Sequence, residues 1–325
     1  MKIGKAINLE VGAATRDAFG EALCELGKTN EQIVVIDGDV GNSTRTQYFG
    51  DQYPDRFFNL GIAESNMVSV ASGLAAAGKD ALVASFAAFL LCNAYDQIRM
   101  GVAFPRLNVK LVGSHSGISI GEDGPSQMAI EDLALATALP NMTVVVPADA
   151  PSAKAATRAI FQYQGPVYLR TGRPKVPVVY HEEGMLQAFQ IGKANQLSEG
   201  RDVTIIACGL MVAAALEAAH TLRQEQITAR VLDMHTIKPL DHAAIADAAR
   251  TTGAIVTAEE HLLQGGLGAA VAQSVAVQRP VPIESAGIAD QYAESGAADE
   301  LLEKYGLMPA DIVQAVHRVL RRKGV

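Results

Sequence analysis

Residues 60–67 read LGIAESNM, with one carboxylate, Glu64, among apolar and small residues, followed by the low-charge run VSVASGLAAAG. Glutamate is rarely buried without a partner, and an unpaired buried carboxylate either costs several kcal/mol or takes up a proton. Apolar burial raises a carboxyl pKa and keeps its proton shareable near neutral pH, which suits acid–base work. The plainer alternative is a helix N-terminal glutamate satisfied by backbone amides or facing solvent. Further on, SFAAFLLCNAYDQIR sets Phe86, Phe89 and Cys92 three residues apart, on one face of a helix. Rings so placed either pack a core or stack on a flat heterocycle. The Gly-rich stretch SGISIGEDGPSQM (116–128) carries Asp123, an Asp-Gly turn residue or a ligand, and Gln127, which can donate and accept but cannot exchange a proton near pH 7.

These residues need a scaffold, and composition supports a large one. The 325 residues favour two domains of ordinary size. With 49% hydrophobic and only 19% charged residues, the chain can fill a large core and an extensive subunit interface. A net charge of −8 gives no global basic field for nucleic acid, so that partner is not expected. Cys24, Cys92 and Cys208 are scattered in apolar contexts, which argues against a disulfide framework and for a reducing, cytoplasmic setting. The segment MKIGKAINLEVGAATRD lacks an apolar signal-peptide core, and no run approaches ~18 uncharged apolar residues, so no membrane partner is expected either.

Short β-branched runs alternate with Ala-rich helical stretches, the pattern of α/β layers around mostly parallel sheets flanked by helices. The reading is a helix over 12–27 capped by Thr15, strands at 33–37 and 80–86, and helices over 63–77 and about 89–103. A buried strand at 108–115 enters the Gly-rich loop. Helix 128–138, strand 142–147, helix 151–163 and strand 166–172 follow. RPKVPVVYHEEGM (173–185) reads as a linker. The alternation then restarts, which places two α/β domains at 1–185 and 186–325. Gly265, Gly266 and Gly268 open a helix and could cradle a phosphate, though close helix packing is the preferred reading. His181, His220, His235, His242, His261 and His317 show no metal spacing, and His235 and His261 read as structural or interfacial.

HSGISIGEDGPSQMAIEDLALATALPNMTVVVPADA (115–150), with FNLGIAESNM and TAEEHLLQGGLG, resembles the C-terminal half of transketolase over essentially the whole chain. That half comprises the pyrimidine-binding domain and the C-terminal domain of thiamine diphosphate enzymes. The likeness is greatest to split transketolases, whose two halves are separate polypeptides. The family holds Mg²⁺ (or Ca²⁺) and the diphosphate through a GDG motif followed by Asn; here the nearest matches are DGD (37–39) and EDG (122–124). The resemblance therefore implies an N-terminal partner subunit carrying GDG…N, self-association within an α₂β₂ assembly, and no metal ligands on this chain.

It further implies that Glu64 hydrogen-bonds N1′ of the cofactor's aminopyrimidine and so readies the cofactor to lose its C2 proton. Phe86 and Phe89 match aromatic positions that sandwich the pyrimidine, while Cys92 stands where Tyr is common. Arg16, Ser43, His115 and Arg170 match positions that hold a substrate's terminal phosphate, a task suited to guanidiniums. Asp123 matches a residue that bonds a donor-sugar hydroxyl. Gln127 departs from a common His, which leaves the sugar specificity open. The implied activity is transfer of a two-carbon ketol unit between phosphorylated sugars. Rival readings are a 1-deoxyxylulose-5-phosphate synthase-like carboligase, a 2-oxoacid dehydrogenase β subunit, and a non-catalytic assembly subunit.

Overall fold

The computed structural model describes residues 1–181, 184 and 189–324. Its larger sheet has seven strands in the order β12-β6-β7-β5-β4-β2-β3. Here β2 is Ile33–Asp37, β3 Phe57–Asn59, β4 Asp80–Phe86, β5 Val109–Ser114, β6 Thr143–Val145, β7 Val167–Arg170 and β12 Thr236–Lys238. All neighbours are parallel except β12, which runs antiparallel to β6. Strands such as β2, IVVID, are buried on both faces, which explains their unbroken apolar, β-branched runs. The second sheet has the order β14-β13-β10-β11-β9. Its strands are β9 Asn195–Ser198, β10 Val203–Ala207, β11 Ala229–Asp233, β13 Ile255–Leu262 and β14 Ile283–Ile288, and only β9 is antiparallel.

The helices cover the sheet faces: α1 Thr15–Thr29, α2 Gly41–Thr44, α3 Gln47–Gln52, α4 Glu64–Ala76, α5 Ala87–Asn93, α6 Tyr95–Gln97, α7 Asp132–Ala138 and α8 Ala150–Gln162 belong to the first half. The second half has α9 Met211–Gln224, α10 His242–Thr252, α11 Leu267–Gln278, α12 Ala298–Lys304 and α13 Pro309–Lys323. Starts are chemically marked: Asp149 and Ser152 form a reciprocal capping box on α8, and Asp241 accepts from Ala244 N on α10.

Several expected elements differ. A short strand, β1 Val11–Ala14, precedes α1, and Thr15 is the first helical residue rather than its cap. Its hydroxyl instead accepts from Gly172 N at 2.7 Å. The helix expected over 89–103 breaks after α5, where Asn93 turns its amide to Glu64 and its carbonyl accepts from Ser65 Oγ; residues Ile98–Ala103 then form a π-helical turn. The stretch read as a linker contributes β8, Lys175–Pro177, antiparallel to β1. The boundary proposed at 185/186 lies outside the described residues. α11 opens not on a phosphate cradle but on Glu259, whose carboxylate accepts from Leu267 N and Gly268 N, both at 2.6 Å. A Cβ at Gly266 would sit 2.1 Å from that carboxylate, which is why glycine stands there.

The two halves share one interior. A single core cluster runs from Val144 and Tyr168 to Ile206, Leu232, Met234 and Leu267. At its polar centre Arg170 and Asp132 form a buried, bidentate pair, Nε to Oδ2 at 2.7 Å and Nη2 to Oδ1 at 2.9 Å. Arg170 Nη2 also donates to Ala129 O and, across the halves, to Glu260 O, and Tyr168 donates its hydroxyl to Asp132. Nearby, Val179 N and Tyr180 N donate to Asp149 Oδ2, and Tyr180 OH donates to Asp233 Oδ2 at 2.7 Å. Burial, with Asp149 adding repulsion, pushes the Asp233 carboxyl up to about 8.

Two predictions follow from these groups. Replacing Asp132 by Asn strands a buried guanidinium, and equilibrium urea unfolding should show a loss of about 3 kcal/mol. For Asp233 the folded pKa lies above the ordinary value of 3.8, so its contribution is full below that value and is lost as pH rises towards 8. Asp233→Asn should therefore gain on the wild type by on the order of 1 kcal/mol per pH unit between pH 5 and pH 7. A constant gap between the two unfolding curves would refute the assignment.

Candidate active site

The residues that the sequence singles out meet at the carboxyl ends of β2, β4, β5 and β7, where open α/β sheets bind ligands. Glu64 is the first residue of α4 and only 5% exposed. The residue before it, Ala63, offers no side-chain cap, and the Glu64 carboxylate finds its partners on other elements. It accepts from Ser85 Oγ on β4 and from Asn93 Nδ2 at the end of α5, both at 3.3 Å. Neither is a charge partner.

Next to Ser85, Phe86 ends β4 and stacks on Phe89 of α5, with ring centroids 5.9 Å apart and planes 7° from parallel. Both rings are half-buried. Cys92 follows on α5 and is exposed, outside this stack. The other face of the aromatic line belongs to His115, whose ring lies 3.9 Å from Phe86, centroid to centroid, at 14°. His115 is 2% exposed, and its φ of 60° places it in the left-handed region that a non-glycine residue adopts only under constraint.

From His115 the contacts continue to an unsatisfied cation. Arg16, at the start of α1, has Nη1 2.9 Å from His115 Nε2 and 3.0 Å from the carbonyl of Ser43 on α2. Its Nε is buried with no partner. A buried donor left unmade costs about 1–3 kcal/mol, so this guanidinium has hydrogen-bonding capacity to spare. Burial and then neighbouring Arg45 hold the Arg16 guanidinium below its ordinary pKa. Burial, followed by Arg16, Arg173 and Arg45, pushes the His115 imidazole down to about 3.

Arg173 is the residue that sequence reading passed over. It repels the charged forms of both Arg16 and His115, donates to Ile120 O at 2.9 Å, and lies 3.4 Å from the carboxylate of Asp123. Arg16, Arg173 and Glu122 line a cavity of about 310 Å³. Arg170 differs from expectation: its Nε and Nη2 are committed to Asp132 and two carbonyls, so those atoms cannot also grip a ligand. The repeat of Arg in RTGRP was the available signal, and the position of the strand end decides between them. Asp123 and Gln127 sit on the loop at the rim, Asp123 exposed and Gln127 half-buried with its N–H on Gly124 O. Gly124 has φ 81°, and a Cβ there would meet Ser295 Oγ at 2.4 Å, so the second half presses this loop into shape.

Among the described residues no group of three or more His, Cys, Asp or Glu is gathered to hold a metal ion, and no helix is long and apolar enough to cross a membrane.

Family models match in two blocks: the pyrimidine-binding domain of transketolase over residues 11–178 and the transketolase C-terminal domain over 192–312. A 6-deoxy-6-sulfo-D-fructose transketolase subunit from Clostridium sp. (strain MSTE9) is 41% identical over 95% of this chain and 95% of its own. Human transketolase is 40% identical over 95% of this chain but only 49% of its own, so the chain spans about half of that relative. The structure of a split-gene transketolase, described as an inactive β4 tetramer, superposes with a TM-score of 0.90 at 47% identity, covering 96% of this chain and 100% of that one.

The open edge of Arg16 yields a direct test. Inorganic phosphate should raise the melting temperature of the wild-type chain, with a stabilisation of about 2.7 kcal/mol at a hundred times its Kd. Arg16→Ala should abolish the shift and Arg173→Ala reduce it, measured by differential scanning calorimetry; an undiminished shift in Arg16→Ala would place the anion elsewhere.

Proposed function

The chain belongs to the transketolase family, and on that premise we propose that it is the C-terminal subunit of a split transketolase. It would move a two-carbon ketol unit from a ketose to an aldose, with an anionic group on at least one of them. The observation that supports this best is the unbroken line Glu64–Ser85/Phe86–His115–Arg16–Ser43: a carboxyl, an aromatic platform and an unsatisfied guanidinium in one contact path. The two matched blocks, 11–178 and 192–312, support domains at 1–185 and 186–325, the first activating the cofactor.

The family is thiamine diphosphate-dependent, and the residues here fit one end of that cofactor. A buried carboxyl without a charge partner and a phenylalanine pair with nearly parallel planes suit an aminopyrimidine, which offers ring nitrogens and a flat face. When bound, thiamine diphosphate supplies the carbon nucleophile that attacks the ketose carbonyl. Glu64 would hold a proton at N1′ of the pyrimidine, with Ser85 and Asn93 fixing its carboxyl. Phe86 and Phe89 would hold the ring and exclude water, with Cys92 at the margin. Arg16 and Arg173, aided by Ser43 and His115, would bind the anion. Asp123 and Gln127 would meet sugar hydroxyls. Arg170 is reassigned from the anion grip to the framework beneath it.

The chain carries no GDG…N motif, so the diphosphate and Mg²⁺ (or Ca²⁺) would be held mainly by an N-terminal partner subunit. The split-gene relative, solved as an inactive β4 tetramer, supports both self-association and the need for that partner, within an α₂β₂ complex. Three unpaired cysteines support a cytoplasmic setting. The Clostridium relative favours a second reading of the anion: a guanidinium pair suits a sulfonate on a 6-deoxy-6-sulfo sugar as well as a phosphate.

The test is reconstitution with a partner carrying GDG…N. The complex should transfer ketol units and this chain alone should not; an inert complex with every sugar would overturn the reading. Comparing phosphorylated, sulfonated and neutral donors decides the anion. In the complex, Glu64→Gln should slow hydrogen–deuterium exchange at the cofactor C2 by about a hundredfold or more; wild-type exchange would remove Glu64 from its role.

A further inference from the structure

We propose that Ser114 is a positioning residue that locks the His115 imidazole in its Nδ1–H tautomer, and thereby turns one edge of Arg16 towards the anion; this rests on the reading of Arg16 as part of the anion site. The argument starts from donors and acceptors. A guanidinium nitrogen can only donate. Arg16 Nη1 stands 2.9 Å from His115 Nε2, so Nε2 must present its lone pair. The proton of the neutral ring therefore sits on Nδ1, and the atom that receives it is Ser114 Oγ, 2.9 Å away. Ser114 is fully buried at the end of β5, so this acceptor is fixed by the sheet.

His115 itself has no freedom to rearrange. Phe86 covers its face, and its left-handed backbone aims the ring back over the strand end. Burial and three guanidiniums keep it neutral, with a pKa pushed down to about 3. In this arrangement His115 is an acceptor for Arg16.

The consequence lies in which N–H groups of Arg16 remain. Nη1 spends its hydrogens on His115 Nε2 and Ser43 O. Nε is buried and unpartnered. Nε and Nη2 together form the side edge of the fork, the pair that meets an oxyanion with two parallel hydrogen bonds. Without the Ser114 acceptor, the imidazole either strands Nδ1–H or shifts to Nε2–H, which opposes donor to donor and pushes Arg16 off register.

Two measurements test this. In ¹⁵N-histidine spectra of the wild-type chain at pH 7, His115 should show a protonated Nδ1 and an unprotonated Nε2; a protonated Nε2 overturns the proposal without any variant. In the reconstituted complex, Ser114→Ala should raise KM for an anionic sugar about tenfold with kcat within about twofold, and leave KM for an uncharged sugar unchanged. An equal effect on both sugars, or none, also overturns it. An inert wild-type complex would sink the proposed function instead, and the spectrum of His115 would still decide the tautomer.

Discussion

The site stands on the buried pair of Arg170 and Asp132. Two charges removed from water cost several kcal/mol each unless every remaining hydrogen-bonding position is filled. Here the guanidinium satisfies Asp132, Ala129 O and Glu260 O, while Tyr168 completes the carboxylate. That requirement makes one rigid node of β7, the start of α7 and β13 of the second half. The Gly-rich loop between His115 and Asp132 is therefore tethered at its far end, and Glu260 adds a second tether by accepting from Ser119 N at 2.6 Å. Asp123 and Gln127 are carried on a loop whose anchors belong to both halves of the chain.

Above that node, local electrostatics are arranged by withholding partners. Glu64 receives only neutral donors, and Arg16 keeps one N–H with none. Elsewhere in the same fold Glu259 takes the first amides of α11, and Asp149 takes two backbone N–H groups besides its own cap, while Arg230 Nε, Asp233 Oδ1 and His235 Nε2 are also buried without a partner. What sets Arg16 apart from those three is its place: it lines a cavity together with a second guanidinium, Arg173.

Much of this was legible in the sequence, for identifiable reasons. Strands at 33–37 and 80–86 are doubly buried, so their β-branched runs need no context, and Glu64 stands out because a lone carboxylate in an apolar run violates an ordinary preference. What was not legible depends on distant pairing. The helix breaks where Asn93 bonds Glu64, a pairing that no local propensity announces. Arg170 and Arg173 differ in sequence by three places and in fate entirely, because the strand ends at Arg170 and leaves Arg173 to the rim. The glycines at 265–268 look alike as a cradle or a packing contact until the Glu259 carboxylate is found among their amides.

One modest element reaches beyond the site. Strand β12, Thr236–Lys238, leaves the second half to pair with β6 at the border of the first sheet. An unpaired strand border is a template for unwanted association. During synthesis, the ribosome delivers the whole first sheet save its final strand, then residues 171–235, before that border can close. The pyrimidine-binding half is thus completed by chain made after it, and a gene cut between the halves would release a sheet with one sticky margin. In chain order, the last strand of the first sheet comes after three strands of the second.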